Sequence, residues 1–216
     1  MFGALAGWYG FPATKANKRG NAMKRILALA ACVASLSVGA SAQEVKWTTL
    51  VDGKSMGNFD RVGAANWRVE GGAIVADKLE GKDPAYLTTA QTYKNFQIVA
   101  EFWTDEKANS GIFIRCSKPG TVDAKLCYEV NIFDERPDPS YGTGAIVDVA
   151  KVIPMPKAAG KWNTYDITAV DNHFVVILNG QKTVDVTDTR LPNAGFVGLQ
   201  YGSGVVKFRK VVIRSL

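Results

Sequence analysis

Residues 109–116, NSGIFIRC, and residues 127–134, CYEVNIFD, are two short apolar runs that carry polar groups at alternate positions. That period of two is the signature of a half-buried strand. Successive strand side chains face opposite ways, so Ile112, Ile114 and Cys116 are expected on one face and Phe113 and Arg115 on the other. In the second run Tyr128, Val130 and Ile132 share one side, with Glu129 and Asn131 on the other beside Phe133. A guanidinium, a carboxylate and a carboxamide on one wall of a sheet suit a hydroxyl-rich ligand.

The rest of the chain follows the same pattern from Trp47 onward: short strand-like segments between turn signals, with helical periodicity nearly absent. NWRVEGGAIVAD reads as a hairpin around Gly71-Gly72, and FQIVAEFWTD alternates Phe96, Ile98, Ala100 and Phe102 against Gln97, Val99, Glu101 and Trp103. TYDITAV, HFVVILNG and KTVDVTD follow, with tight turns at Asp171-Asn172 and Asn179-Gly180. Many strands at short intervals without helices predict an all-β fold, a two-sheet antiparallel β-sandwich or jelly roll. The one long irregular stretch, 135–160, holds Pro137, Pro139, Pro154 and Pro156, and reads either as the rim of a binding site or as a crossover between sheets.

The first 42 residues stand apart. Lys24 and Arg25 precede an apolar run, ILALAACVASLSV, too short to span a bilayer, and small residues follow at Ala40 and Ala42. This is the plan of a signal peptide cleaved after Ala42, and it predicts a periplasmic or secreted protein with one domain over 43–216. Met23 stands where such a signal begins, so residues 1–22 read as an upstream extension from a mis-called start. The alternatives are an uncleaved anchor and a lipoprotein acylated at Cys32. Residues 1–42 carry five basic and no acidic side chains, so their removal takes the formal charge from +6 to +1. Nucleic-acid binding thereby loses its main support. Two cysteines remain, Cys116 and Cys127, at the end of one strand and the start of the next. In an oxidising compartment they are expected to form a disulfide, the alternative being two buried thiols.

The segments LVDGKSMGNF, NWRVEGGAIVA, ANSGIFIRC, YEVNIFD, TGAI, GKWNTYDI, LNG, GLQYG and VKFRKVVI resemble, in order and spacing, the 3-keto-disaccharide hydrolase domain family. The resemblance implies a concanavalin A-like jelly roll whose concave face holds the ligand. It also implies action on glycosides already oxidised at C3. The ketone acidifies the C2 proton, a base forms an enediolate, the glycosidic oxygen leaves C1 by β-elimination, and water adds back. Such a site needs a base, an acid for the leaving oxygen and a hydrogen-bond donor for the enolate. The chain departs from the family pattern at three places: Asn131 stands where glutamine is usual, Tyr201 where histidine is usual, and Val147 where tyrosine is frequent.

Glu129 is the first candidate for general base or acid, because a mid-strand carboxylate among apolar neighbours is costly without a use or a partner. The structural alternative is an ion pair with Arg115, which otherwise grips a substrate oxygen or orients Glu129. Glu101 is a second candidate carboxylate or a solvent-facing one, and Trp103 either stacks on a sugar or packs in the core. Asn131, Asp134, Thr143 and Gln200 are the expected substrate-binding residues, and Trp162 is expected in the core. The run from Glu129 to Asp134 also resembles the E-x-D-x-x-E strand of retaining jelly-roll glucanases, but Glu129 and Asp134 would point to opposite faces of a regular strand. A retaining pair needs carboxyls about 5 to 5.5 Å apart. His173, the only histidine, lies at a hairpin turn, which removes histidine-based triads. Asp134, Asp138 and Asp148 fit no standard calcium loop, so no metal or cofactor is expected. The expected partner is a keto-sugar glycoside; the competing readings are a non-catalytic sugar-binding module, a conventional glycoside hydrolase and a structural sandwich.

Overall fold

The computed structural model describes residues 46–216; the expected signal peptide, its cleavage site and Cys32 lie outside the described residues. No helix among these residues is long and apolar enough to cross a membrane. Two antiparallel sheets make up the fold. The larger runs in the order β11 (Gln181–Thr187), β10 (His173–Leu178), β9 (Trp162–Val170), β6 (Phe96–Thr104), β13 (Val206–Ser215), β4 (Ala73–Ala76) and β3 (Arg68–Glu70), with β1 (Thr48–Val51) also paired to β13. The smaller runs β2 (Phe59–Val62), β5 (Ala85–Thr89), β12 (Phe196–Tyr201), β7 (Ser110–Cys116) and β8 (Tyr128–Ile132). The result is the two-layer β-sandwich that the alternation predicts.

The core lies between the sheets and follows the period of two. Phe96, Ile98, Ala100 and Phe102 of β6 are fully buried, as are Tyr165, Ile167 and Ala169 of β9. They meet Leu87, Ile112, Ile114, Tyr128 and Val130 from the smaller sheet. The two-residue turns at Gly71-Gly72 and Asn179-Gly180 all have positive φ, between 52° and 81°, the conformation that matches the twist of a tight hairpin.

One local irregularity decides where the polar groups go. β7 pairs with β12 through Phe113 opposite Gly198 and Cys116 opposite Phe196, so Ile114 and Arg115 together face the single residue Val197. Arg115 takes φ 52°, the mark of a β-bulge. Gly195 makes the bulge feasible, because a Cβ there would sit inside the Arg115 main chain. Past the bulge the alternation is out of step with the strand before it. Cys116 therefore does not share the face of Ile112 and Ile114 but joins Phe113, Tyr86 and Cys127 in a small cluster outside the smaller sheet, with Val62, Val122 and Phe196 packed against it. The sulfurs of Cys116 and Cys127 are bonded, closing the loop 117–126.

The long irregular stretch runs along the edge of the smaller sheet and then crosses over. Its only helical turn is a 3-10 turn at Pro139–Tyr141. Residues 144–147 lie along β8: Gly144 N donates to Asn131 O, Asn131 N to Ala145 O, and Val147 N to Glu129 O, at 3.0–3.1 Å. The chain then passes to β9 in the other sheet. Trp162 does not enter the core as expected. It is 37% exposed on the outer face of the larger sheet, with the Arg209 guanidinium 4.3 Å from its ring centroid.

Candidate active site

The outer face of the smaller sheet is built from two rows of cross-strand neighbours. One row reads Val62, Tyr86, Gln200, Gly111 and Asn131; the next reads Asp60, Thr88, Gly198, Phe113 and Glu129. Glu129 is thus the direct partner of Phe113 and sits diagonally beside Gly111. A Cβ on Gly111 would lie 3.2 Å from Val130 O, 3.3 Å from Glu129 Cγ and 3.4 Å from the Phe113 ring, so the glycine lets these groups close tightly over the floor between Gln200, Asn131 and Glu129.

Glu129 is 8% exposed and its carboxylate makes no side-chain hydrogen bond or ion pair among the described residues. Burial pushes its carboxyl up to about 7, opposed by the charge of Arg136 and reinforced by that of Asp148. Both of those residues belong to the crossover stretch. A carboxyl that exchanges its proton near neutrality is suited to acid–base chemistry.

Two carboxamides flank it. Asn131 is fully buried and its Nδ2 donates to Tyr141 O at 2.7 Å, while its Oδ1 has no partner among the described residues. Gln200 is 6% exposed; its Nε2 donates to the Tyr86 hydroxyl at 3.4 Å and its Oε1 is likewise unpartnered. A buried acceptor left without a donor is costly, and a ligand hydroxyl would relieve that cost. Tyr86, which sequence reasoning missed, brings a phenol into the same row. Its ring stands edge-on to Phe113, centroids 5.3 Å apart.

The other expected site residues lie elsewhere. Arg115 does not pair with Glu129. The bulge turns it inward, where it is 1% exposed, donates from Nε and Nη2 to Lys94 O at 3.0 and 2.7 Å and from Nη1 to Leu191 O at 3.3 Å, and covers the Phe174 ring. Glu101 and Trp103 face outward as their alternation requires, but from β6 in the larger sheet, so the whole core separates them from Glu129. There Glu101 is bound by Arg209, and Lys207 Nζ lies 4.7 Å from the Trp103 ring centroid.

Thr143 and Asp134 fasten the crossover and belong to neither row. Thr143 Oγ1 donates to Asp134 Oδ1 at 2.6 Å and accepts from Phe133 N, and the Asp134 carboxylate also accepts from Ala158 N and Ala159 N. Tyr201 points into the core opposite to Gln200, its hydroxyl donating to Gly204 O. That departure from the family pattern therefore falls on the core side of β12, whereas Asn131 lies in the outer row.

A family model described as the 3-keto-alpha-glucoside-1,2-lyase-like domain matches residues 46–214. The chain belongs to this family. Membership covers the whole sandwich and gives it a carbohydrate-directed role, catalytic or binding. No curated protein matches the chain in sequence. Among solved structures, two candidate glycosyl hydrolases from Parabacteroides distasonis ATCC 8503 are similar, with TM-scores of 0.68 and 0.62 at 20% and 26% identity. Each is matched over 79% of this chain, and over 94% and 100% of its own length. The carbohydrate-binding module CBM66 from Bacillus subtilis shares the fold at TM-score 0.52 and 14% identity, over 79% of this chain and 96% of its own.

Proposed function

We propose that this protein cleaves 3-keto-glycosides, with Glu129 as the base that removes the C2 proton. The observation that carries the reading is a buried carboxyl, unpaired and pushed up to about 7, on the same outer face as two buried amide oxygens without partners. At neutral pH such a group is substantially ionised yet close enough in basicity to an activated C–H to exchange a proton with it. The Gln200 and Asn131 oxygens accept from sugar hydroxyls and hold the ring over Gly111. Arg136, whose charge already acts on Glu129, offers positive potential to the enolate oxygen. Elimination forms the C1–C2 double bond, and water adding at C1 while C2 regains its proton completes a net hydrolysis.

Ordinary retaining hydrolysis has less support, because it needs a second carboxylate free to attack C1. Asp134, the nearest in sequence, is occupied by Thr143 and by the amides of Ala158 and Ala159. The same reading places the protein in the periplasm or outside the cell after loss of residues 1–42, a compartment in which the Cys116–Cys127 bond persists. Incubation with matched 3-keto and unoxidised disaccharides tests the proposal: turnover is expected of the 3-keto compounds alone. Saturable binding without turnover would make the protein a sugar-binding module instead.

A further inference from the structure

We infer that Tyr86 is the acid that protonates the departing glycosidic oxygen, an inference that rests on the elimination reading given above. Expulsion of an alkoxide from C1 calls for a proton donor on the same face as Glu129. Arg115, Glu101 and Asp134 are placed or bound elsewhere. Of the side chains in the row that holds Gln200, Gly111 and Asn131, Tyr86 is the one that carries a hydroxyl.

Its position fits the role. Tyr86 is the direct cross-strand partner of Gln200, and its hydroxyl accepts from Gln200 Nε2, so the phenol leans from β5 toward β8 and its own proton is not used in that bond. Backbones three strands apart lie about 14 Å from one another. Tyr86 and Glu129 thus reach toward one another across the same outer face, with Phe113 on the strand between them. The edge-on contact with Phe113, itself the partner of Glu129, fixes the ring. Burial raises the Tyr86 pKa, the Gln200 bond lowers it, and the charges of Glu129 and Asp123 raise it further, which keeps the phenol protonated at neutral pH and closer to an alcohol in acidity.

The protons balance. In the elimination Glu129 takes the proton from C2, the C2–H electron pair becomes the C1–C2 double bond, the C1–O bond breaks and the leaving oxygen takes the Tyr86 proton. In the hydration the phenolate removes a proton from the water that attacks C1, and Glu129 returns its proton to C2. No oxidant or reductant enters.

The test is Tyr86→Phe with two 3-keto-glucosides that differ in leaving group, one releasing a sugar and one releasing nitrophenolate. Since nitrophenolate departs without a proton, the variant should lose at least about 100-fold in kcat/KM on the first and less than about threefold on the second. Equal losses on both would assign Tyr86 a packing role, and an unchanged rate on the sugar substrate would remove it from the chemistry; either result overturns the inference. Wild-type protein inactive on both compounds would instead overturn the elimination reading, and the acid role with it.

Discussion

Glu129→Gln is expected to lower turnover of a 3-keto-glycoside by at least about 100-fold, because it keeps the shape of the side chain and removes its proton acceptor. The same substitution should not destabilise the fold. Glu129 has no charged partner to abandon, and its pKa is raised from an ordinary 4.5 to about 7 by burial. A group whose folded-state pKa lies above the unfolded value contributes stability that is fully present below pH 4.5 and lost as the pH rises through about 7. Complete ionisation of a carboxyl shifted this far costs up to about 3 kcal/mol, so at pH 8 the glutamine variant should be the more stable by up to that amount, and near pH 4 the two should be alike. Chemical denaturation at the two pH values checks this. A variant that is inactive because it has unfolded would mean that Glu129 is a structural residue.

Arg115→Ala should do the reverse. Its guanidinium is enclosed and satisfies the Lys94 and Leu191 carbonyls, so truncation strands two backbone acceptors and opens a cavity against Phe174. A loss of about 3 to 5 kcal/mol is expected. Activity per folded molecule should remain within about twofold, since the residue lies on the core side of the sheet, away from the Glu129 carboxyl, and removing it takes nothing from the acid–base chemistry. Full stability with lost turnover would contradict the placement of Arg115 in the core.

These two residues mark how far the sequence could be read. Phe96 to Phe102 and the Gly71-Gly72 and Asn179-Gly180 turns carry local signals that dictate strands, faces and hairpins, and the sandwich follows from them. The face of Arg115 has no such signal. Its bulge depends on Gly195, eighty positions along the chain, which alone lets another strand's backbone come close enough, so simple alternation placed the guanidinium beside Glu129. Glu101 and Trp103 illustrate a second limit: alternation tells inward from outward but not which of two outer faces a strand supplies. β6 lies between β9 and β13, and that order depends on pairings between distant segments. Tyr86 was missed for the same reason, since only the pairing of β5 with β12 brings it beside Gln200.

Glu129 stood out because a carboxylate amid YEVNI is chemically out of place, and burial without a partner is what supports the use proposed for it. The most direct measurement of that use is cleavage of a 3-keto disaccharide in deuterium oxide, followed by mass and proton NMR spectra of the released keto sugar. Removal and return of the C2 proton by Glu129 predicts one solvent deuterium at C2 of the product, with the unoxidised disaccharide left intact. Release of product with the original hydrogen still at C2, or equal cleavage of the unoxidised sugar, would contradict the account.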